Sequence, residues 1–325
     1  MTSRGAQMQN LVRARIDPEF FVELNKGRYD EDPAVFELVR NNIRGFIMAS
    51  PGHELVAGDY SQIELRVAAW LGGETWLMKH LSGREDVYKG TAARILGCSP
   101  DEVTPDQRQV FKSVELACQF GLSPTGLDGE GGLYARLRGE GFDVSREECK
   151  QTVDTYRRTH PAIVSTWAAF EDAVYILVGA PIGTEVTVGV MFFKRAENAI
   201  IVQRPSGFRQ YLWFPWIEHD FWPDGGEKQN IRYSGRGKVS MNPHFTYGSK
   251  IFQGAVQGIA ADVMYEGLLR VPSPILSVHD EACCELPIGA VSVEELCELL
   301  CEPIKWAPDL VLKAEGWSGP RYTKG

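Results

Sequence analysis

The chain has 325 residues, 44% hydrophobic and 24% charged, and is long enough to bury one large core or two smaller ones. It contains no apolar run approaching the roughly 18 to 20 residues of a membrane span, and its N-terminus lacks the apolar stretch of a signal peptide, so we expect a cytoplasmic protein without a membrane partner. The net charge of −9 argues by itself against a nucleic-acid partner, because such proteins usually carry a basic surface.

The seven cysteines do not follow a metal-binding or redox pattern. They form no CxxC pair and no Cys/His cluster at zinc spacing; Cys283 and Cys284 are adjacent, and Cys297 and Cys301 are one helical turn apart. We therefore expect reduced, buried thiols.

The segment from 51 to 72 predicts a strand followed directly by a helix. "PGHELVAGDY" is typical of a turn and a short apolar strand, and "SQIELRVAAWLGG" of a helix that opens with a capping box from Ser61 to Glu64 and ends at Gly72. Asp59 then stands at the end of the strand.

The rest of the chain predicts helices and strands in separate blocks. Helices are expected between 84 and 121 and again from 145 to about 177, with a glycine-rich loop at 122–139; short β-like runs fill 181–248, a helix covers 249–270, and "PILSVHDEACCELPI" is a hairpin signature with His279, Asp280 and Glu281 at its tip. Separate blocks favour an α+β fold over a doubly wound sheet.

Asp59 and Asp280 are candidates for a metal site. If their strands are neighbours, two carboxylates converge on one edge of a sheet, where they repel unless a cation lies between them; a hard ion such as Mg²⁺ resolves this, and two such ions could clamp an in-line phosphoryl displacement. The alternative is that both are ordinary turn aspartates.

The helix predicted from Thr104 carries a repeat of four residues. Its face places two cations before two apolar side chains, in the order Arg108, Lys112, Leu116 and Phe120. That order suits a nucleotide, with the cations on the triphosphate and the apolar pair on the sugar and base. The alternative is a solvated basic pair on an amphipathic helix.

A third pattern lies in "YGSKIFQGAVQGIAADVM", residues 247–264. Gln253 and Gln257 stand one turn apart among small residues, so their amides could approach base edges or sugars in a minor groove. A helix-packing surface is the alternative.

Together these segments resemble the motifs of family A DNA polymerases, the group of bacterial DNA polymerase I and many phage replicative enzymes. The matching segments occur in the order seen in that family: "RGAQMQNL" at 4–11, "DYSQIELR" at 59–66, "RQVFKSVELACQFG" at 108–121, "VQGIAAD" at 256–262 and "VHDE" at 278–281. "RQVFK", "YRRTHPAI" and "RPSGFRQY" are most similar to the phage branch.

The resemblance implies a template-directed DNA polymerase that adds dNTPs to a primer 3′-hydroxyl with two Mg²⁺ ions. Asp59 and Asp280 match the metal-binding aspartates, with the backbone carbonyl of Tyr60 as a further ligand, and Lys112 matches a proton donor to pyrophosphate. Residues implied at the nucleotide are Arg108, Lys112, Glu64 as the steric gate against a ribose 2′-hydroxyl, Leu116, Phe120, Gln62 and His279. Residues implied at the primer–template DNA are Gln9, Asn10, Gln253, Gln257 and Glu281.

The match departs from the bacterial pattern in places. Bacterial members read Arg-x3-Lys-x3-Phe-x3-Tyr-Gly on the fingers helix, so Leu116 replaces an aromatic ring and Phe120 lacks a hydroxyl that could bond the gate glutamate. An alternative alignment matches Phe120 and Gly121 to the Phe-Gly of the family, but it moves Arg108 and Lys112 away from the family's two cationic positions. We prefer the gapless alignment, which keeps both cations in place. Gln253 stands where bacterial members have Asn.

The resemblance also implies an organisation. We expect a palm with an antiparallel sheet at 1–80 and 201–325, a helical fingers subdomain at 81–200, and neither a thumb nor an exonuclease. We then expect either that a separate polypeptide supplies the missing parts in a phage or prophage replication system, or that the chain is a fragment of an interrupted gene. The alternatives are a non-catalytic remnant or subunit, and a phage RNA polymerase, which Glu64 and the complete "DYSQIELR" disfavour.

Overall fold

The computed structural model describes residues 17–29, 33–83, 85–126, 129–221, 225–236 and 241–322. The contacts of the chain define two units. Unit 1 is drawn from Met1–Ile63, Ala261–Ile304 and Leu312–Gly325, and unit 2 from Glu64–Ala260 and Lys305–Val311.

The α-helices of the described residues are α1 (Pro18–Asn25), α2 (Val35–Asn42), α3 (Ile63–Gly72), α4 (Thr75–Ser82), α5 (Val87–Leu96), α6 (Pro105–Cys118), α7 (Gly132–Gly139), α8 (Arg146–Thr159), α9 (Pro161–Val178), α10 (Gly248–Arg270) and α11 (Val293–Cys301). Short 3-10 helices lie at Ile43–Phe46 and Pro100–Glu102. The strands are β1 (His53–Tyr60), β2 (Glu185–Val188), β3 (Met191–Arg195), β4 (Ala199–Gln203), β5 (Arg209–Phe221), β6 (Glu227–Arg236), β7 (Met241–Thr246), β8 (Pro274–Val278), β9 (Glu281–Pro287) and β10 (Ala314–Gly319).

Unit 1 is built on an antiparallel sheet of order β10-β1-β9-β8. The central strand β1 is apolar on both faces, and its Leu55, Val56 and Ala57 are fully buried. Leu55 and Ala57 pack in a core cluster with Tyr322, whereas Gly58 brings the strand against Leu300 of α11, where a side chain would clash. A strand buried in this way holds its residues in one register.

The helical part of unit 2 packs α5, α6, α7 and α8 around one core that includes Val114, Leu133 and Tyr156. Helix α6 begins as its sequence predicts: the Thr104 hydroxyl accepts from the Gln107 N–H, the Gln107 side chain accepts from the Thr104 N–H, and Pro105 occupies the first turn. These caps fix where the helix starts.

The second part of unit 2 is a six-stranded antiparallel meander in the order β2 to β7. Its inner face buries Phe193, Ile200 and Leu212. Helix α9 covers this face, with the ring of Phe170 centred 5.3 Å from that of Phe193 and 6.0 Å from that of Phe252 in α10. The meander therefore lies against α9 and the first half of α10.

The structure confirms the α+β class, the strand over 53–60, the capped helix after Thr104, the helix over 249–270 and the hairpin of β8 and β9. Two local predictions were wrong. Helix α3 begins at Ile63, one residue too late for a capping box from Ser61 to Glu64. Part of the expected loop at 122–139 is α7, because Leu133 and Leu137 share a buried helical face.

The units divide the chain differently from the expected palm and fingers boundaries. Residues 201–260, expected in the palm, lie in unit 2 because β4 to β7 continue the sheet that β2 and β3 begin. The first unit boundary falls after Ile63 instead of near 80.

Helix α9 also corrects the expectation that the chain has no apolar run of membrane-spanning length. It is 18 residues long and apolar enough to match a membrane span by length and composition. Ile163, Phe170, Val174 and Leu177 along it are fully buried by protein, and 33% of the helix is buried in all.

Gly248→Ala is expected to lower the free energy of unfolding by about 1–3 kcal/mol, because the added Cβ would overlap the backbone carbonyl of Trp167. Gly179→Ala is the matched control, since a Cβ there meets no atom within 4 Å and its φ of −94° suits alanine. Urea unfolding followed by circular dichroism measures both. Equal stability of the two variants would contradict the close approach of α9 and α10.

Candidate active site

The end of β1 and the β8–β9 turn bring acidic residues together in unit 1. Asp59 lies opposite Glu281 of β9 on one side and opposite Glu315 of β10 on the other. The Tyr60 N–H donates a hydrogen bond of 2.9 Å to the carbonyl oxygen of Asp280. Residues far apart in the sequence are thus neighbours, and Asp59 and Asp280 are both half-buried.

The oxygen donors at this sheet end fit a hard divalent cation. Mg²⁺ usually takes one or two protein carboxylates and completes its coordination with water and substrate phosphates. Asp59, Asp280 and the carbonyl of Tyr60 are donors of that kind. Within the residues that the structure describes, no group of three or more His, Cys, Asp or Glu side chains forms a metal site of its own. An ion held by two carboxylates and one carbonyl takes its remaining ligands from water and substrate.

Glu281 lies inside unit 1, with a side chain only 1% exposed. Its carboxylate accepts hydrogen bonds from the Tyr322 hydroxyl and, at 3.4 Å, from the indole N–H of Trp317. Burial, and then the bond to Glu281, raise the pKa of Tyr322 well above its ordinary value. This burial corrects the expected DNA contact: in this structure, Glu281 braces the sheet and is not accessible to DNA.

The side chain of Tyr60 anchors the end of β1. Its hydroxyl donates to the carbonyl of Leu300 at 2.7 Å, and burial raises its pKa well above the ordinary value. A Cβ on Gly267 of α10 would lie 2.5 Å from this hydroxyl, so glycine leaves room for it. The ring thus holds in place the backbone that carries Asp59 and the Tyr60 carbonyl.

Gln62 and His279 both adopt left-handed backbone conformations, with φ of 55° and 57°. Such values are uncommon for residues other than glycine and recur at functional sites. Gln62 follows Asp59 in the turn before α3, and the exposed His279 precedes Asp280. Glu64, the proposed gate, is half-buried in the first turn of α3.

Helix α6 carries the two predicted cations of unit 2. Arg108 Nε lies 2.5 Å from Asp86 Oδ2, and both Arg108 and Lys112 lie over the ring of Tyr88, at 5.5 and 6.0 Å from its centroid. Asp86 is also the N-cap of α5, accepting from the N–H groups of Tyr88 and Lys89. Burial acts to raise the pKa of Asp86, but these hydrogen bonds and Arg108 lower it overall.

The four-residue repeat is a half-buried face beside the buried face of α6. Arg108, Lys112 and Leu116 lie on it, whereas Phe111, Val114 and Glu115 are buried. Phe120 is also half-buried but lies beyond the helix, which ends at Cys118; the predicted helical position of Phe120 was therefore wrong.

Sequence reasoning missed a buried polar cluster behind this face. The fully buried carboxylate of Glu115 accepts from the hydroxyls of Thr91 at 2.5 Å and Tyr156 at 3.0 Å. His160, also fully buried, stacks on Tyr156 with its Nε2 3.6 Å from Glu115 Oε2. The cluster joins α6 to α5 and to the end of α8.

The contacts of His160 fix where its hydrogen lies. Its Nδ1 lies 2.9 Å from the carbonyl oxygen of Tyr156, which can only accept, so Nδ1 carries a hydrogen. The sequence did contain a signal for this buried cluster. In "KSVELAC", Glu115 is an acidic residue at a helical position between apolar neighbours.

The remaining predicted residues are amides. Gln253 and Gln257 lie one turn apart on α10 and border a cleft against the meander of unit 2. Gln9 and Asn10 fall outside the described residues.

Comparison with known proteins reveals relatives of one kind. The profile of DNA polymerase family A matches residues 34–173. The DNA polymerase of Bacillus phage SP02 is 28% identical over 99% of this chain and 50% of its own length. DNA polymerase I of Bacillus caldotenax is 30% identical over 86% of this chain and 26% of its own length. The chain thus spans half or less of these relatives.

A solved structure shares the fold. It is the POL domain of Pol1 from M. smegmatis, in complex with DNA primer-template and dNTP. The TM-score is 0.57 at 22% identity, and the match covers 87% of this chain and 42% of the other.

Glu115→Ala is expected to lower the free energy of unfolding by about 3–5 kcal/mol, since it removes the acceptor of two buried hydroxyls and the partner of His160. Glu147→Ala, at an exposed position of α8, is expected to cost less than about 1 kcal/mol. Urea unfolding compares the two, and a loss for Glu115→Ala as small as that of the control would contradict the cluster.

Proposed function

We propose that this chain, which is related to the DNA polymerases of family A, carries the catalytic region of a DNA-directed DNA polymerase. It would add dNTPs to the 3′-hydroxyl of a primer under the direction of a template. The proposal extends to this chain the activity for which its relatives are named, and the primer-template DNA and dNTP with which the M. smegmatis domain was solved.

The observation that carries the proposal is the meeting of Asp59 and Asp280 at one end of the unit 1 sheet. The hydrogen bond from the Tyr60 N–H to the Asp280 carbonyl joins the two backbone segments, so that two acidic residues stand at one end of the sheet. When bound, two Mg²⁺ ions would activate the primer hydroxyl and neutralise the leaving pyrophosphate. Asp59, Asp280 and the Tyr60 carbonyl would hold these ions.

The cations of unit 2 would bind the triphosphate of the dNTP. Arg108 forms an ion pair with Asp86 through its Nε and has further N–H donors on its guanidinium. The ion pair can therefore orient the side chain while the other donors bind phosphate. Lys112, on the same face of α6, supplies a compact charge and a proton for pyrophosphate. The buried Glu115 cluster would keep this face in place.

The remaining predicted contacts complete the proposal. Glu64 would exclude a ribose 2′-hydroxyl, and Leu116 and Phe120 would contact the sugar and base, while Gln62 and His279 would lie at the nucleotide. Gln253 and Gln257 would contact the DNA.

The biological setting that we propose is phage or prophage DNA replication, in the host cytoplasm. It is supported by the similarity to the Bacillus phage SP02 polymerase along nearly the whole chain. The alternative function is that of a subunit that synthesises DNA only together with a separate thumb-bearing or exonuclease polypeptide.

Primer extension with Mg²⁺ and four dNTPs tests the proposal. Asp280→Asn keeps the shape of the side chain and is expected to slow extension at least about a hundredfold, because the charge that holds the metal is lost. Glu315→Gln is the matched control: Glu315 also lies opposite Asp59 but pairs with Lys313 at 2.8 Å, and extension should be unchanged.

Extension by Asp280→Asn at the wild-type rate would contradict the assignment of the catalytic carboxylates. Parallel reactions with ribonucleotides test the RNA polymerase alternative. That alternative predicts that ribonucleotides are incorporated at least as fast as dNTPs.

A further inference from the structure

The meander of unit 2 presents aromatic side chains on its outward face. Strand pairing places Ile200 and Leu212 on the buried inner face, so Tyr211 and Trp213, on either side of Leu212 in β5, lie on the opposite face. Tyr211 is 38% exposed and Trp213 is 41% exposed. Tyr211 ends the segment "RPSGFRQY", to which sequence reasoning assigned no role. Two large rings are therefore held at the surface by a sheet whose core lies on its other side.

The two rings are held in a fixed orientation. They lie nearly parallel, with centroids 5.1 Å apart and 12° between their planes. Each also has an apolar neighbour directly across the sheet in β4, Ile201 for Tyr211 and Ala199 for Trp213. Cross-strand packing and mutual stacking restrict the rotamers of both rings. A ligand that stacks on them would therefore cost little side-chain entropy.

A distortion of β5 follows the pair directly. The register of β5 against β6 shifts between Trp213 and Trp216, and Phe214 within this bulge has a φ of 46°. A left-handed backbone is unfavourable for a bulky residue, and β-bulges recur next to functional sites, where they re-aim side chains. The Phe214 N–H donates to the carbonyl of Asn198 at 2.7 Å, and Phe214 is 56% exposed. The bulge thus adds a third exposed ring, and we call Tyr211, Trp213 and Phe214 the aromatic face.

Basic side chains border the aromatic face. Arg209, two residues before Tyr211, lies on the same side of β5, and Lys194 lies in the row of Tyr211 two strands away. Arg209 donates from Nε to the side-chain oxygen of Gln203 at 2.8 Å and forms no ion pair among the described residues. Lys194 pairs with Glu185 at 2.8 Å, where both side chains are exposed and the pair contributes little. A chain of net charge −9 thus places a guanidinium with remaining N–H donors beside exposed rings.

Exposed rings next to cations are typical of proteins that bind single-stranded nucleic acid. The rings stack on bases, the cations contact phosphates, and neither contact depends on the base sequence. A duplex is a poor ligand for such a surface, because each of its bases is already stacked between its neighbours. The aromatic face therefore fits unpaired bases.

We propose that the aromatic face binds unpaired bases of the template strand, with Arg209 on the phosphates between them. This rests on the proposed function, since a template-directed polymerase holds a single strand that is yet to be copied. The aromatic face and the cleft bordered by Gln253 and Gln257 lie on opposite faces of the meander. Unpaired template and duplex would thus have separate contacts on unit 2.

Fluorescence anisotropy with a labelled oligothymidylate of about 20 nucleotides tests the proposal. Trp213→Ala is expected to weaken binding about tenfold, because a base loses its stacking partner, and Trp213→Phe, which keeps a ring, should retain most of the affinity. Phe221→Ala is the matched control: Phe221 is 66% exposed at the other end of β5, and its loss should leave binding unchanged. Circular dichroism checks that all variants fold.

A strand of abasic sites of the same length separates stacking from charge. It keeps the phosphates and lacks the bases, so the wild type should bind it at least about tenfold more weakly than oligothymidylate, whereas Trp213→Ala should bind it as the wild type does. Arg209→Gln should weaken the binding of both strands and lower the slope of log affinity against log salt concentration by about 0.7.

Three results would overturn the aromatic face as a stacking surface. They are equal affinity of the wild type for the two strands, unchanged oligothymidylate binding by Trp213→Ala, and a loss for Phe221→Ala as large as that for Trp213→Ala. The exposed rings would then be left to a protein partner.

Primer extension keeps these results distinct from the proposed function. On a template with a long single-stranded overhang, Trp213→Ala should raise the KM for template about tenfold, whereas on an overhang of a single nucleotide it should extend as the wild type does. Equal KM values on the long overhang would overturn the assignment to the template strand. A wild-type chain that prefers oligothymidylate to the abasic strand but extends no primer would overturn the proposed function and leave the single-strand site in place.

Discussion

The pairing of β1 with β9 sets the position of the acidic residues at the candidate active site. Asp59 faces Glu281 in this register, and the Tyr60 N–H binds the carbonyl of Asp280. A slip by one residue would turn Asp59 to the opposite face of the sheet. The hydroxyl of Tyr60, bound to the carbonyl of Leu300, opposes such a slip, so the core of unit 1 is also what places the site.

The elements that carry the site could be predicted because their signals are local. The strand to Asp59, the caps at Thr104 and the hairpin at Asp280 each depend on a few adjacent residues. The six-strand order of the meander depends on pairing between distant segments, and short β-like runs do not specify partners. For that reason the sequence did not reveal that Tyr211 and Trp213 lie on the outward face of the meander.

The burial of two carboxylates could not be predicted from the sequence for another reason. Acidic residues are usually exposed, and a single sequence does not show which of them find enough donors to be buried. Glu281 finds Tyr322 and Trp317, and Glu115 finds hydroxyl groups and His160. Glu281 directly follows Asp280 in the sequence, and Glu115 lies three residues after Lys112. In both motifs, a buried structural carboxylate is therefore close in sequence to a proposed functional residue.

The most direct test is a crystal structure with a dideoxy-terminated primer, its template, the incoming dNTP and Mn²⁺ in place of Mg²⁺. Anomalous scattering locates Mn²⁺ without reference to the protein. The account predicts Mn²⁺ bound to carboxylate oxygens of both Asp59 and Asp280 and to the dNTP phosphates, with Glu281 still bonded to Tyr322. Mn²⁺ and dNTP bound in the complex with neither aspartate as a ligand would contradict it.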